Sequence, residues 1–248
     1  MNVIYILWLR QLKRYFRSKA RMIGSLGQPI LFLFALGFGF GPIFQKAGGG
    51  NYIQFLAPGI IGMSILFTAV FSGIEIIWDK QFGFLKETLV APVSRIKIMF
   101  GRTLGGATVA TLQGAIVFLL SLLVGFQPVS LSLIPIALLF MFMIALVFTA
   151  LGTAIASLLD DMQGFQLIMN FLVMPLFFLS GALFPLNGLP AFIDGIASVD
   201  PLSYGVDAVR GALTGVYHFS FSIDFAVLVG MIILFLGIGS YLFKKIQI

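Results

Sequence analysis

Cysteine is absent from the 248 residues. That excludes disulfide frameworks, thiolate metal sites and cysteine nucleophiles, and says little about compartment. A single histidine and nine carboxylates scattered along the chain leave little material for catalysis. Charged residues make up 10% of the chain and hydrophobic ones 60%, against about 25% and 45–50% in an ordinary soluble domain. The mean hydropathy is +1.09. Disorder, nucleic-acid binding and nearly every soluble enzyme are thereby excluded. The net charge of +6 sits on a chain too apolar for water, so its anionic partner is a membrane surface and not a nucleic acid.

What the chain does have is long hydrophobic runs. A bilayer core takes roughly 20 apolar residues in a helix. By that measure the sequence predicts an all-α membrane protein, one domain over 1–248, with six spans near 23–44, 53–77, 104–126, 133–159, 165–184 and 225–243. No gap between spans is long enough to bury a soluble core. Six spans place both termini on one side. Arg10, Lys13, Arg14, Arg17, Lys19, Arg21, Lys80, Lys86, Arg95, Lys97, Arg102, Lys244 and Lys245 lie there, and only Lys46 and Arg210 lie opposite, which is thirteen of fifteen basic residues. Basic loops stay cytoplasmic, so both termini are predicted to be cytoplasmic in a cell membrane.

Residues 1–22 read as an interfacial amphipathic helix. Arg10, Arg14, Arg17 and Arg21 form one stripe, and Tyr5, Trp8, Leu12, Tyr15 and Phe16 fall opposite, suited to the acyl boundary. A signal peptide fits poorly, because the basic region is long and no A-x-A-like site follows. Whether the helix only anchors the chain or also acts in function is open at this level.

Catalytic motifs are missing. No G-x-x-x-x-G-K-[ST] run exists, so the chain has no P-loop of its own. Gly37, Gly39, Gly41 and Gly48 to Gly50 read as a helix end and a loop, and His218 as a surface histidine in an external loop. Glu75, near the inner end of the second span, is the one carboxylate in or near a span core. It reads either as an interface residue paired with Lys80 or as a group in a pathway or relay. Asn170 can hydrogen-bond between spans, and Asp160 and Asp161 form a cytoplasmic turn. Gly101-x-x-x-Gly105 and Gly152-x-x-x-Ala156 permit close helix contact.

Two polar segments interrupt the spans. Between the second and third, residues 78–95 predict a short amphipathic cytoplasmic helix carrying Phe84, Leu85, Lys86, Glu87, Thr88 and Leu89, stopped by Pro92. It is either an interfacial connector or a docking element. Between the fifth and sixth, Ser180-Gly181 and Pro185 are followed by Asp200-Pro201-Leu202-Ser203-Tyr204, with Asp207 and Arg210 beyond. Asp200 is a good N-cap with Pro201 at the first helical position. Asp207 and Arg210 can pair at i, i+3. The resulting helix, running to about Gly211, is too short to cross. Two short pieces broken by Pro and Gly suit an external re-entrant hairpin, provided they pack on protein or line a wet cavity.

At these segments the chain resembles the permease subunit of type-2 ABC exporters, a family that includes antibiotic-resistance and nodulation-factor exporters. Lys86-Glu87-Thr88-Leu89-Val90-Ala91-Pro92 is similar to the family's T-L-E-x-L-x-x-x-P pattern, with Val90 where the pattern has glutamate. Leu179-Ser180-Gly181 with Phe184-Pro185, and Asp200 to Tyr204 with Asp207 and Arg210, look like its other signature. The resemblance implies an ABC ATPase partner that binds ATP and Mg, no cofactor in this chain, and a dimer with a second copy or a paralogue. It implies docking of the ATPase on residues 84–89 as a coupling helix. It also implies an outer gate formed by Ser180, Gly181, Pro185, Pro201, Tyr204, Asp207 and Arg210. The rival function is a stand-alone secondary transporter or channel. A membrane enzyme is disfavoured by the missing histidines and cysteines.

Overall fold

The computed structural model describes residues 3–48, 50–90, 93–186 and 190–245, and among them the regular secondary structure is helical throughout. Helix α1 spans Val3–Arg17, α2 Lys19–Lys46, α3 Tyr52–Phe71, α4 Ile74–Gln81, α5 Phe84–Val90 and α6 Arg95–Leu123. Helix α7 spans Ile134–Leu158, α8 Met162–Leu179, α9 Ala191–Val199, α10 Pro201–Thr214 and α11 Phe221–Lys244. Six stretches are long and apolar enough to cross a membrane: Met22–Lys46, Tyr52–Gln81, Arg95–Leu123, Leu131–Leu158, Met162–Leu179 and Phe221–Lys244. Number and order agree with the sequence, and the boundaries move.

The third span begins nine residues earlier than expected, because Arg95, Lys97 and Arg102 continue the helix inward. The fifth ends at Leu179, since Ser180 donates to the carbonyl of Phe177 and closes the last turn. Helix α2 runs through Gly37, Gly39 and Gly41, where a helix end was expected. The second span is hitched at Ser72–Gly73 and continues as α4.

Helix α3 and its continuation form the axis of the bundle, with 78% of the apolar window buried, whereas α2, α8 and α11 bury only 17%, 22% and 11% of theirs. These three turn long apolar faces outward, including Leu31 and Phe38 on α2 and Leu167 and Phe171 on α8. In water such faces would be very costly. In lipid, or against another span, they are the expected surface.

Small residues set the close approaches. A Cβ on Gly152 would strike the backbone of Val70, and one on Gly73 the carbonyl of Gly152, so the hitch between α3 and α4 nests on α7. Gly101 and Gly105 bring α1 onto α6, where a side chain would meet Ile4, Leu7 and Gln11. These contacts place part of the α1 aromatic face on protein. Its Tyr15 is buried and donates to Gln113, and Trp8 donates to Thr108 at 3.0 Å, so part of the aromatic face packs on α6 and not on acyl chains. Tyr5 and Phe16 remain exposed. The chain turns at Ser18, so Arg21 belongs to α2 and the basic stripe of α1 is Arg10, Arg14 and Arg17.

Gly152→Val should overpack this seam and cost about 1–3 kcal/mol. The expected readout is a lower melting midpoint in detergent. Gly230→Val, whose Cβ meets nothing within 4 Å, is expected to leave the midpoint unchanged.

Candidate functional site

Two polar constellations stand out against the apolar bundle, one at each end. At the basic end, Asp79 on α4 lies at the centre. Its side chain is 5% exposed and accepts from Arg102 of α6, itself 3% exposed. The other carboxylate oxygen takes Arg10 of α1 at 3.0 Å. One turn earlier on α4, Glu75 meets Arg14 of α1 at 3.7 Å. The positions i and i+4 of one helix thus face two positions, also i and i+4, of another. The expected pairing of Glu75 with Lys80 is therefore corrected. Lys80 points the other way, capping the C-terminus of α7 by donating to the carbonyls of Ser157 at 3.1 Å and Leu159 at 3.0 Å and to Asp160 at 3.1 Å. A cation there also complements the helix dipole. Asp161 N-caps α8 by accepting from the N–H groups of Gln163 and Gly164. Helix α4 is hence bonded to α1, α6 and the end of α7 at once.

From α4 the chain turns through Gly83, whose φ of +80° favours glycine, into α5. On α5, Leu85 is buried, while Phe84 and Glu87 are exposed and Thr88 donates back to the carbonyl of Phe84 at 2.9 Å. Among the described side chains of α5, Leu85 faces inward and Phe84 outward. The side chains of Lys86 and Leu89 lie outside the described residues, as does Pro92.

At the far end, α10 is enclosed, with every residue from Pro201 to Leu213 buried. Asp200 accepts from the Leu202 N–H at 2.8 Å and Pro201 opens the helix, as the sequence indicated. The helix continues to Thr214, and Gly215 ends it at φ +76°. Gly62 of α3 meets Val206 and Gly205 meets Ile144 of α7, so α10 is wedged between these helices. Asp207 and Arg210 do not pair. Asp207 accepts from the N–H groups of His218 at 2.8 Å and Phe219 at 2.9 Å, fixing the loop before α11. Arg210 donates to the carbonyl of Gly181 at 2.8 Å and lies 4.1 Å over the Phe55 ring, joining α10 to the end of α8 and to α3. Each group satisfies a backbone or ring partner that its neighbour on the helix could not reach. Burial pulls the Arg210 guanidinium down to about 10, with the nearby Asp207 carboxylate opposing. Burial pushes the Asp200 carboxyl up to about 8 against its bond from Leu202.

Tyr204 donates to the carbonyl of Ser198 at 2.7 Å and stacks on Phe219. Gly181, at φ +70°, is covered by Leu186, while Pro185 is exposed. A cavity of about 280 Å³ opens among Ser180, Ser203, Asp207, Arg210 and Pro185. The structure thus gathers Ser180, Pro185, Asp207 and Arg210 around one cavity, and Gly181 is tied to it through the bond of its carbonyl from Arg210. Pro201 and Tyr204 lie outside its lining. His218 is exposed, in keeping with a surface histidine.

Asp79 and Arg102 escaped the sequence reading as site residues. The spacing of Glu75 and Asp79 on one helix face was the available signal. Asp224 escaped it too. It lies inside the first turn of α11, fully buried, with both carboxylate oxygens lacking a hydrogen-bond partner among the described residues. Glu75 is therefore not the one carboxylate carried by a span.

Residues 2–214 match the model of the family described as ABC-2 type transporter. The chain belongs to the ABC-2 type transporter family. Its relatives include the transport permease ycf38 of Cyanophora paradoxa, 28% identical over 98% of this chain and 88% of that one. Nodulation protein J of Rhizobium leguminosarum bv. trifolii is 30% identical over 85% of this chain and 78% of its own length. The protein is thus a multi-pass membrane transport permease, of a family that implies an ABC ATPase partner.

Removing Asp79 from the permease leaves Arg102 buried without a counter-charge, which costs about 3–5 kcal/mol. Asp79→Ala is expected to lower the melting midpoint and the yield from detergent extraction. Replacing both partners, as Asp79→Leu with Arg102→Leu, is expected to restore much of the loss.

Proposed function

We propose that this permease is the membrane half of an ATP-driven exporter in the cell membrane. Its basic end is cytoplasmic, with both termini on that side, and α1 lies along the membrane interface. A separate ABC ATPase, binding ATP and Mg, docks on α5 as a coupling helix, with Phe84 entering its groove and Glu87 at the rim. Lys86, Thr88 and Leu89 complete the docking segment. A second permease, a copy or a paralogue, packs on the outward faces of α2 and α8 and completes the pathway. The α9–α10 hairpin is re-entrant and serves as the outer gate, hinged at Ser180–Gly181 and latched by Arg210.

One observation carries this reading. Helix α5 exposes an aromatic and an acid on a seven-residue helix, while its neighbour α4 is bonded by Asp79, Glu75 and Lys80 to three other helices. A push on α5 therefore reaches α1, α6 and α7 through α4, across the short Phe82–Gly83 turn and the buried Leu85. Glu75 acts as a relay in this scheme, through Arg14.

A stand-alone secondary transporter is the second reading, favoured by Asp224, a buried and unpartnered carboxylate of the kind that couples ions. Co-purification separates the two. The tagged permease is expected to bring an ATPase subunit through detergent, and Phe84→Ala with Glu87→Ala to lose it while the permease melts normally. A permease that purifies alone and moves solute under an ion gradient without ATP would overturn the exporter reading.

A further inference from the structure

We propose that a groove between α1 and the α4–α5 turn holds the phosphate-bearing headgroup of an anionic membrane phospholipid. The groove has a volume of about 940 Å³. One wall is basic. Arg10 and Arg14 are engaged by Asp79 and Glu75. Lys13 and Arg17, one turn apart and exposed, have no partner among the described residues. The opposite wall is aromatic, formed by the exposed Trp78 and Phe82.

Among the described residues that line the groove, Asp79 is the single carboxylate, and it is already bonded to Arg10 and Arg102, so the groove offers surplus positive charge. A phosphodiester answers that charge. The aromatic wall decides between sources. A soluble phosphate would leave Trp78 and Phe82 facing water, whereas a lipid lays its glycerol and upper acyl chain against them, as aromatic belts do at headgroup depth. The bound lipid would sit against the cation cluster that holds α4, so the leaflet's anionic content would set how firmly α1 and α4 are clamped.

The proposal rests on the interfacial placement of α1. The test uses the full chain in nanodiscs with Trp8→Phe, which leaves Trp78 as the sole tryptophan of the original two. Quenching of Trp78 by brominated phosphatidylglycerol is compared with quenching by brominated phosphatidylcholine. The expected result is stronger quenching by the anionic lipid, with the preference falling about five-fold for each charge removed by Lys13→Gln and Arg17→Gln. Lys97→Gln, on an exposed residue outside the groove, leaves it unchanged.

Equal quenching by both lipids overturns the proposal and leaves the interfacial placement of α1 standing. No quenching by either overturns both. A preference abolished by inorganic pyrophosphate, with the same Trp78 response in phosphatidylcholine alone, assigns the groove to a soluble phosphate and overturns the lipid assignment.

Discussion

The carboxylate of Asp79 is the constraint on which the basic end of this permease depends. It is buried, it meets two arginines from two helices, and it cannot be removed without stranding Arg102. Buried ion pairs are weak contributors to net stability but strong determinants of arrangement, because each alternative packing leaves a charge unpaired. Gly101 and Gly105 allow the close approach of α1 to α6, the bonds of Trp8 to Thr108 and Tyr15 to Gln113 set where along α6 it happens, and Arg10 ties α1 to α4 through Asp79. The hitch at Gly73, nested on Gly152, then delivers α4 at the angle that brings Asp79 to both arginines.

The far end solves the same problem with backbone partners. Arg210 and Asp207 lie one turn apart on a buried helix, and neither is satisfied by the other. Each instead satisfies main-chain groups of a loop that helix geometry leaves open, Gly181 in one case and His218 with Phe219 in the other. The two ends therefore differ in kind. The basic end is a network of side-chain charges. The far end is a set of loop-to-helix hydrogen bonds.

Much of this was legible in the sequence. Hydrophobic length alone gave six spans in the right order, and the Asp200–Pro201 signature gave the start of α10 to the residue. The Gly101–Gly105 spacing announced a close contact without naming α1 as its partner. What was not legible depends on tertiary choice. Lys80 was equally placed to serve Glu75 or the C-terminus of α7, and only the packing of α4 on α7 decides. The aromatics of α1 suited lipid or another helix equally well, since both are apolar environments. Asp224 was hidden by a boundary drawn four residues late, at 225 where the helix starts at Phe221, because a span's end is blurred by the same apolar composition that reveals the span.

If the ion pairs around Asp79 carry the proposed push of the ATPase, α4 and α6 of one permease move together as a rigid unit. The chain's lack of cysteine makes this directly measurable. Spin labels on the exposed Phe82, at the end of α4, and Leu123, at the end of α6, give a distance within one chain. A label on Phe82 alone gives the distance between permeases. In the complex with its ATPase, the account predicts that vanadate trapping changes the Phe82–Phe82 distance and leaves Phe82–Leu123 unchanged. A Phe82–Leu123 distance that shifts as much as the distance between permeases would contradict it.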